Sequence, residues 1–383
     1  MDSNTCPVRI ATVVVGGGPA GLVMAYYLRR AKDDFVVLEA DARIGDVWRS
    51  RWDSLRLFST PRYASLPGWR IPVRRFPTRD EMADYLEQYA ARFHLPVRTD
   101  VRVLRVTRAD DRFLVETTDG GYLADRVVIA TGAHQRPRTP GFASELDPAI
   151  RQLHSIGYRN ASQFAPGGVL VVGAANSGTD IALDAAAAGH PTWLAGRHPG
   201  QAPVDIDARR ARPVIPMVMF VFKHVLTLRT PMGRAARPDA LAHGVQLVRN
   251  KLADLDAAGV IRIGRITAVE QGRPMTDDGR VPDVSTVVWC TGSEPDHTFL
   301  DLPVTGADGR PEEYRGVANT PGLYFLGLEF QFALASSTIQ GLDRDARFLL
   351  RQIRRTGSPT ESPSDPNPYN ADMPHSTAPE LLR

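Results

Sequence analysis

The chain has 383 residues, 43% of them hydrophobic and 23% charged, with a formal net charge of +3. That length suits two domains, each able to bury its own core, and the composition is that of a globular protein. So small a charge, with no Lys/Arg run interleaved with aromatics, argues against nucleic acid, and two distant cysteines, Cys6 and Cys290, exclude a disulfide framework or a CxxC pair.

The cysteine usage suits a reducing cytosol, and no basic-then-apolar signal segment precedes Ile10. The longest apolar stretch, Val214 to Phe222, is about half a membrane span and contains Pro216. A cytoplasmic chain with no transmembrane segment is expected.

From Ile10 to Glu39 the pattern is strand, glycine turn, helix, strand, which opens a doubly wound α/β domain. Val13-Val14-Val15 runs into Gly16-Gly17-Gly18-Pro19-Ala20-Gly21. Gly16 serves the tight turn, Gly18 lets backbone approach a pyrophosphate, and Gly21 lets helix and strand pack closely. The diphosphate then rests on the free N–H groups of the following helix. Glu39 ends the next apolar run, Phe35 to Leu38, where a carboxylate accepts from both ribose hydroxyls. Residues 43–77, rich in Trp, Arg and Pro, form a long irregular segment of the kind that carries function. Trp48 and Trp52 read equally well there as core aromatics. Thr78 and Glu81 predict a capping box, opening a helix with Met82, Tyr85, Leu86, Tyr89 and Phe93 on one face. Short strands near Val101 to Val106 and Phe113 to Thr117 form a meander, and Arg126 to Ala130 is a buried strand ending in Thr131-Gly132.

The pattern then repeats. Val169 to Val172 leads into Gly173-Ala174-Ala175-Asn176-Ser177-Gly178, with Ala175 in place of the middle glycine. Gly196 follows Gly173 by 23 residues, as Glu39 follows Gly16, and Arg197 comes next. An arginine without the carboxylate welcomes a 2′-phosphate. The two turns therefore predict FAD, whose ribose is unphosphorylated, in the first site and NADPH in the second. An insert covers about 200–255; within it, Pro213 to Leu228 reads either as core or as a lid over a substrate channel. The strand Thr286 to Cys290 ends in Thr291-Gly292, repeating Ala130-Thr131-Gly132 and completing an internal duplication. A last strand, Leu323 to Leu326, leads through Gly327 to a helix near Ser336 and is predicted to rejoin the first domain. The expected fold is α/β, with two Rossmann-like dinucleotide-binding domains and the NADPH domain inserted into the FAD domain. The FAD domain would comprise 1–155 and 295–355, the NADPH domain 156–294, and 356–383 a disordered tail.

Over about residues 8–350 these motifs resemble the class B flavin-dependent monooxygenases, the group of the flavin-containing monooxygenases and the plant YUCCA enzymes. The resemblance implies NADPH- and O₂-dependent oxygenation of a small lipophilic substrate through a flavin C4a-hydroperoxide, as N- or S-oxygenation or carbonyl oxidation. It places Gly16, Gly18, Pro19, Ala20 and Gly21 at the FAD pyrophosphate, Glu39 at its ribose and the Val101 backbone at its adenine. Trp48, in Gly45-Asp46-Val47-Trp48, matches a stretch beside the flavin, although Asp46 departs from a glycine. Leu55 to Pro61 and Leu66-Pro67-Gly68 match the wrap around the isoalloxazine, and Ala130, Thr131 and Gly132 a turn by the FAD phosphates. Gly173, Asn176, Ser177, Gly178 and Arg197 match the NADPH site, with Thr291, Gly292 and Gly327 at cofactor-facing turns.

The family fingerprint FxGxxxHxxx(Y/F) is half present: His154 and Tyr158 match, while Pro148 and Ile150 replace the Phe and Gly. That departure bears on the geometry of the interdomain linker. His154 and Asn176 are the candidate catalytic residues, and His154 reads equally as a linker histidine bonded to backbone. The absence of a Ser–His–Asp set, metal-ligand cluster or paired carboxylates fits chemistry carried by a cofactor. Two rival readings are an NADPH-dependent flavin reductase serving a partner protein and a nucleotide-sensing module without turnover. The oligomeric state is open.

Overall fold

The computed structural model describes residues 6–201, 214–242, 247–280, 282–306 and 309–356. The expected disordered tail beyond 356 and parts of the insert lie outside the described residues, whereas Thr356 itself ends a helix.

The chain opens with β1 (Val8–Val15), α1 (Pro19–Ala31) and β2 (Phe35–Leu38). Two single-turn helices, α2 (Asp46–Arg49) and α3 (Pro61–Ala64), interrupt the irregular segment before α4 (Arg79–Arg92). The predicted capping box is present: Thr78 Oγ1 accepts from Glu81 N at 3.1 Å, and Glu81 Oε2 accepts from Thr78 N at 2.9 Å. Met82, Tyr85, Leu86 and Tyr89 are fully buried on the expected face. After β3 (Val97–Arg98) comes the meander β4 (Val103–Ala109), β5 (Arg112–Thr117) and β6 (Gly120–Ile129). A two-residue strand β7 (Arg136–Pro137) precedes β8 (Arg151–His154), β9 (Val169–Val172), α5 (Asn176–Ala187) and β10 (Thr192–Ala195). The insert contributes α6 (Val214–Phe220), α7 (Pro231–Ala242) and α8 (Leu252–Ala257). Then follow β11 (Ile261–Ile263), the hairpin β12 (Ile266–Glu270) and β13 (Arg273–Thr276), and β14 (Thr286–Trp289). The chain ends with β15 (Ser293–Glu294), β16 (Glu313–Tyr314), β17 (Val317–Ala318), β18 (Leu323–Phe325) and α9 (Ile339–Thr356).

Two sheets share one plan. The first runs β16-β17-β18-β6-β1-β2-β3 with β4 and β5 beyond β6, and the second runs β11-β10-β9-β14-β8. In each, the strand before the glycine turn lies parallel between the strand that follows it and a later strand of the chain. The registers Val15↔Leu38, Val15↔Ile129 and Ile129↔Phe325 bring Gly16, Glu39, Ala130 and Leu326 to one carboxyl edge. Val172↔Ala195, Val172↔Trp289 and Trp289↔His154 do the same for Gly173, Gly196, Cys290 and Ser155. Ligands of open parallel sheets bind at that edge, where the strand order reverses. The return of β18 to the first sheet lets α9 pack on α1 through Leu342, Ala346, Leu349 and Ile353, a helical stripe of buried residues.

Helix α1 approaches its turn so closely that a Cβ on Gly21 would lie 1.8 Å from the Gly16 carbonyl oxygen. In the second unit a Cβ on Gly178 would lie 1.7 Å from the Gly173 oxygen. Backbone cannot yield as a flexible side chain does, so Gly21→Ala and Gly178→Ala should each lose about 1–3 kcal/mol or more of stability. Denaturant melts of the ligand-free protein check this; an unchanged midpoint in either variant would refute the packing argument.

Candidate active site

At the first edge Gly16 has φ +106°, a conformation reserved for glycine, and its N–H donates to Leu38 O at 2.8 Å. Gly18 is extended, and a Cβ built on it meets nothing within 4 Å. It opens α1, which has Pro19 at its start and no side-chain cap, so the N–H groups of the first turn face that open space. The Glu39 carboxylate is anchored by Gly17 N at 2.6 Å and Asp41 N at 3.0 Å. Burial raises its pKa above the ordinary carboxylate value, and these N–H donors oppose the rise. Val101 N donates to Glu39 O at 2.9 Å, fixing Val101 beside the end of β2. Gly327, at φ +95°, sits against α1, since a Cβ there would come 3.3 Å from Ala20 Cβ. Trp48 packs against the main core.

The second edge repeats the geometry of the turn. Gly173 has φ +112° and donates to Ala195 O at 2.8 Å. Ala175 is extended at φ −85°, matching Gly18 at φ −73°, so the alanine adds a methyl group without backbone strain. Asn176 and Ser177 form the first turn of α5, also without a side-chain cap. Asn176 Oδ1 accepts from Val248 N at 3.4 Å, which ties this turn to the end of the insert. Gly196 stands where Glu39 stands and has φ +129°, so a carboxylate residue there would be strained as well as absent. Arg197 beside it is exposed and has no acidic partner among the described residues. Sequence reasoning missed His198: its Nδ1 accepts from Gly200 N at 3.0 Å, while Nε2 is buried without a partner. The ring borders a cavity of about 70 Å³ shared with Ala174, Thr179 and Gly196. Only folding encloses that cavity; no motif marks it.

Between the edges, His154 ends β8 with both ring nitrogens engaged by backbone. Ile156 N donates to Nδ1 at 3.2 Å, so Nε2 carries the proton and donates to Gly292 O at 3.0 Å. Burial depresses its pKa and favours the neutral ring. Thr291 Oγ1 donates to Arg138 O, and the neighbouring Ser293 Oγ bonds His134 Nδ1 at 2.8 Å. Gly132 and Gly292, at φ +82° and +88°, end the two halves alike, each with open space where a Cβ would be. The linker and the irregular segment are tied to α5. Ser54 Oγ donates to Asp184 at 2.8 Å, Tyr158 OH donates to the same oxygen at 3.4 Å, and Asn160 Nδ2 donates to Asp53 at 2.7 Å. Ile150 has no positive φ, so the fingerprint glycine is not needed here. Asp46 bonds Arg43 N at 3.1 Å and Arg49 at 2.9 Å, stabilising the turn in which it replaces a glycine.

In the insert, the core reading fails for Val218 and Phe220, which are exposed. Phe222 is partly buried, and its carbonyl accepts from Ala335 N at 3.3 Å.

These edges fit two dinucleotides. Each offers an uncapped helix N-terminus, which favours a diphosphate, and the first also leaves the Thr131 hydroxyl buried without a partner. Gly18→Leu, larger than the Ala175 methyl that the second edge carries at the same place, should therefore change ligand-free stability by no more than about 1 kcal/mol, yet deplete the dinucleotide bound to the first edge. Melts and the absorbance of the purified variant separate the two effects; full dinucleotide content would remove Gly18 from the site.

Comparison with known proteins places this geometry. The family model for pyridine nucleotide-disulphide oxidoreductases matches residues 13–227. An uncharacterised CzcO-like oxidoreductase of Geobacillus kaustophilus is 34% identical over 349 residues, covering 90% of this chain and 98% of the relative. A probable indole-3-pyruvate monooxygenase, YUCCA8 of Arabidopsis thaliana, is 31% identical over 199 residues, 49% of this chain and 47% of that one. A flavin-containing monooxygenase from Stenotrophomonas maltophilia superposes with a TM-score of 0.76 at 29% identity, covering 92% of this chain and all of that structure. The disulphide chemistry in the family's description has no counterpart here. Cys6 and Cys290 are both free, and burial raises the pKa of the Cys290 thiol, holding it protonated. The chain is a flavoprotein oxidoreductase of monooxygenase type. It belongs to the pyridine nucleotide-disulphide oxidoreductase family and, within it, to the class B flavin-dependent monooxygenases.

Proposed function

We propose that the chain is an NADPH- and O₂-dependent monooxygenase that holds FAD at the first edge and NADPH at the second. On this reading it oxygenates a small lipophilic substrate at nitrogen, sulfur or a carbonyl group. The observation that carries the reading is the pair of matching glycine turns with unlike ends, Glu39 in one and Gly196-Arg197 in the other.

Gly16 to Gly21 and the start of α1 bind one pyrophosphate, and Glu39 accepts from the ribose hydroxyls. Ala130, Thr131, Gly132, Trp48 and Gly327 border the flavin, with the Val101 carbonyl beside the adenine. Gly173, Ser177 and Gly178 bind the second pyrophosphate, Thr291 and Gly292 flank it, and Arg197 takes the 2′-phosphate through charge-assisted hydrogen bonds. When bound, FAD supplies hydride acceptance and oxygen activation, which no side chain of the site provides. Asn176, at the head of α5, orients the nicotinamide. His154 is a positioning residue: it keeps its proton at Nε2 and holds the Gly292 turn between the two edges. The segment from Trp48 to Pro61 excludes water from the site.

Arg197→Ala should weaken NADPH binding by about 1.5–3 kcal/mol, on the order of 10- to 150-fold, and change NADH little. Titration with both coenzymes decides it, and equal losses would mean that Arg197 does not read the phosphate.

The function itself is tested with labelled dioxygen. Enzyme reduced by NADPH is mixed with the label and a panel of lipophilic amines, sulfides and ketones. One labelled oxygen atom in the product per NADPH consumed is expected. If every substrate returns unlabelled, and the electrons pass instead to an added acceptor protein, the enzyme is a reductase.

A further inference from the structure

The segment 208–250 carries eight cations, Arg209, Arg210, Arg212, Lys223, Arg229, Arg234, Arg237 and Arg249, against the single acid Asp239. Its formal charge is therefore 8 − 1 = +7, and since the whole chain is +3, the remainder is −4. This basic segment also holds four of the nine large apolar side chains that are exposed among the described residues; the other five are scattered. Met217 is 70% exposed and Phe220 59%, one helical turn apart on α6, with Val218 beside them and Met232, 59% exposed, at the start of α7. Phe220 and His224 extend this face, with ring centroids 4.9 Å apart. Arg229 and Arg234, on the same stretch of chain, are exposed as well.

The base below this face is fixed. Leu228 N donates to Phe332 O at 2.8 Å, Leu334 N donates to Leu226 O at 3.0 Å, and Thr227 bridges Ala333. Beneath them the Arg315 guanidinium lies between the rings of Phe332 and Phe348, 3.8 and 3.9 Å from their centroids. The exposed apolar side chains thus project from an anchored platform. Clustered apolar exposure of this kind marks an interaction surface, and its charge selects the partner. Arg249 of this segment is paired with Asp180, and a second copy on the same face would set the exposed Arg229 and Arg234 against their own counterparts. An anionic lipid surface answers both features, taking the apolar side chains into the acyl boundary and the arginines at headgroup level. With only seven residues, and with no described helix long and apolar enough to cross a membrane, α6 would lie along such a surface.

We propose that α6 and the start of α7 form a docking face for an anionic lipid surface, which Met217, Phe220 and Met232 enter while Arg229 and Arg234 pair with headgroups. This goes beyond the assigned reaction and does not depend on the substrate.

The test is co-sedimentation of the flavin-loaded full chain with phosphatidylcholine vesicles, with and without phosphatidylglycerol. Binding that requires phosphatidylglycerol and weakens with salt is expected. Met217→Ser with Phe220→Ser should keep flavin content and melting temperature, because both side chains are already exposed, and lower partitioning on the order of 10- to 100-fold. Arg229→Glu with Arg234→Glu should lower it at least ~10-fold. If the serine pair loses flavin, Met232→Ser reads the same face from the other helix. Indifference to phosphatidylglycerol would overturn the proposal, as would wild-type partitioning of the serine variants. So would a dimer in size-exclusion chromatography that Phe220→Ser converts to monomer, since that would make the occupant a second copy.

Discussion

In both halves of this molecule a helix is pressed so hard onto the turn before it that the last glycine of the turn motif touches the carbonyl of the first. With Gly21 on Gly16 and Gly178 on Gly173, no side chain has room between them. That approach holds the first turns of α1 and α5 at the carboxyl ends of β1 and β9. Their uncapped N–H groups then face the crevice where the strand order reverses. A larger residue at either contact would push the helix away and disperse those donors. The exposure of these helix N-termini is therefore a consequence of packing.

Once the turns are equivalent, a single residue can make the edges different. Leu38 and Ala195 receive the same hydrogen bond from Gly16 and Gly173, so the next residue in each strand occupies the same place. In the first half that residue is Glu39, its carboxylate pinned by two backbone N–H groups. In the second it is Gly196, at positive φ, followed by an arginine in solvent. The duplication keeps the scaffold and varies the residue at the strand end.

The halves are joined both by apolar packing, since one buried cluster runs from α1 and α4 to Tyr158, Ile181 and Val288, and by polar contacts. Asp184 on α5 accepts from Ser54 in the irregular segment and from Tyr158 in the linker, and burial raises its pKa. Nearby Asp180, pushed up to about 6 by burial, is countered by Arg249 and by the Asn250 amide. Such groups are costly to strand, so they specify one arrangement of α5 against the wrap. His154 completes the junction by bracing Gly292 from β8.

Much of this was legible in the chain itself. The spacing of Gly16, Gly18 and Gly21, the Thr78–Glu81 box and the offset from Gly173 to Gly196 are local signals, because turn conformation and capping depend on neighbouring residues. What lies between distant segments was not. Whether His154 titrates or braces depended on Gly292, 138 positions away, coming within 3.0 Å of its ring. The orphaned Nε2 of His198 exists because Leu252 and Leu255 of α8 close a cavity against it. Apolar residues in the insert look alike in sequence whether they are core or surface; Phe220 faces solvent because only residues 222–228 of that stretch bond to 332–335. Local chemistry determined the two nucleotide turns, and tertiary packing decided what surrounds them, since burial and long-range pairing are properties of the folded chain alone.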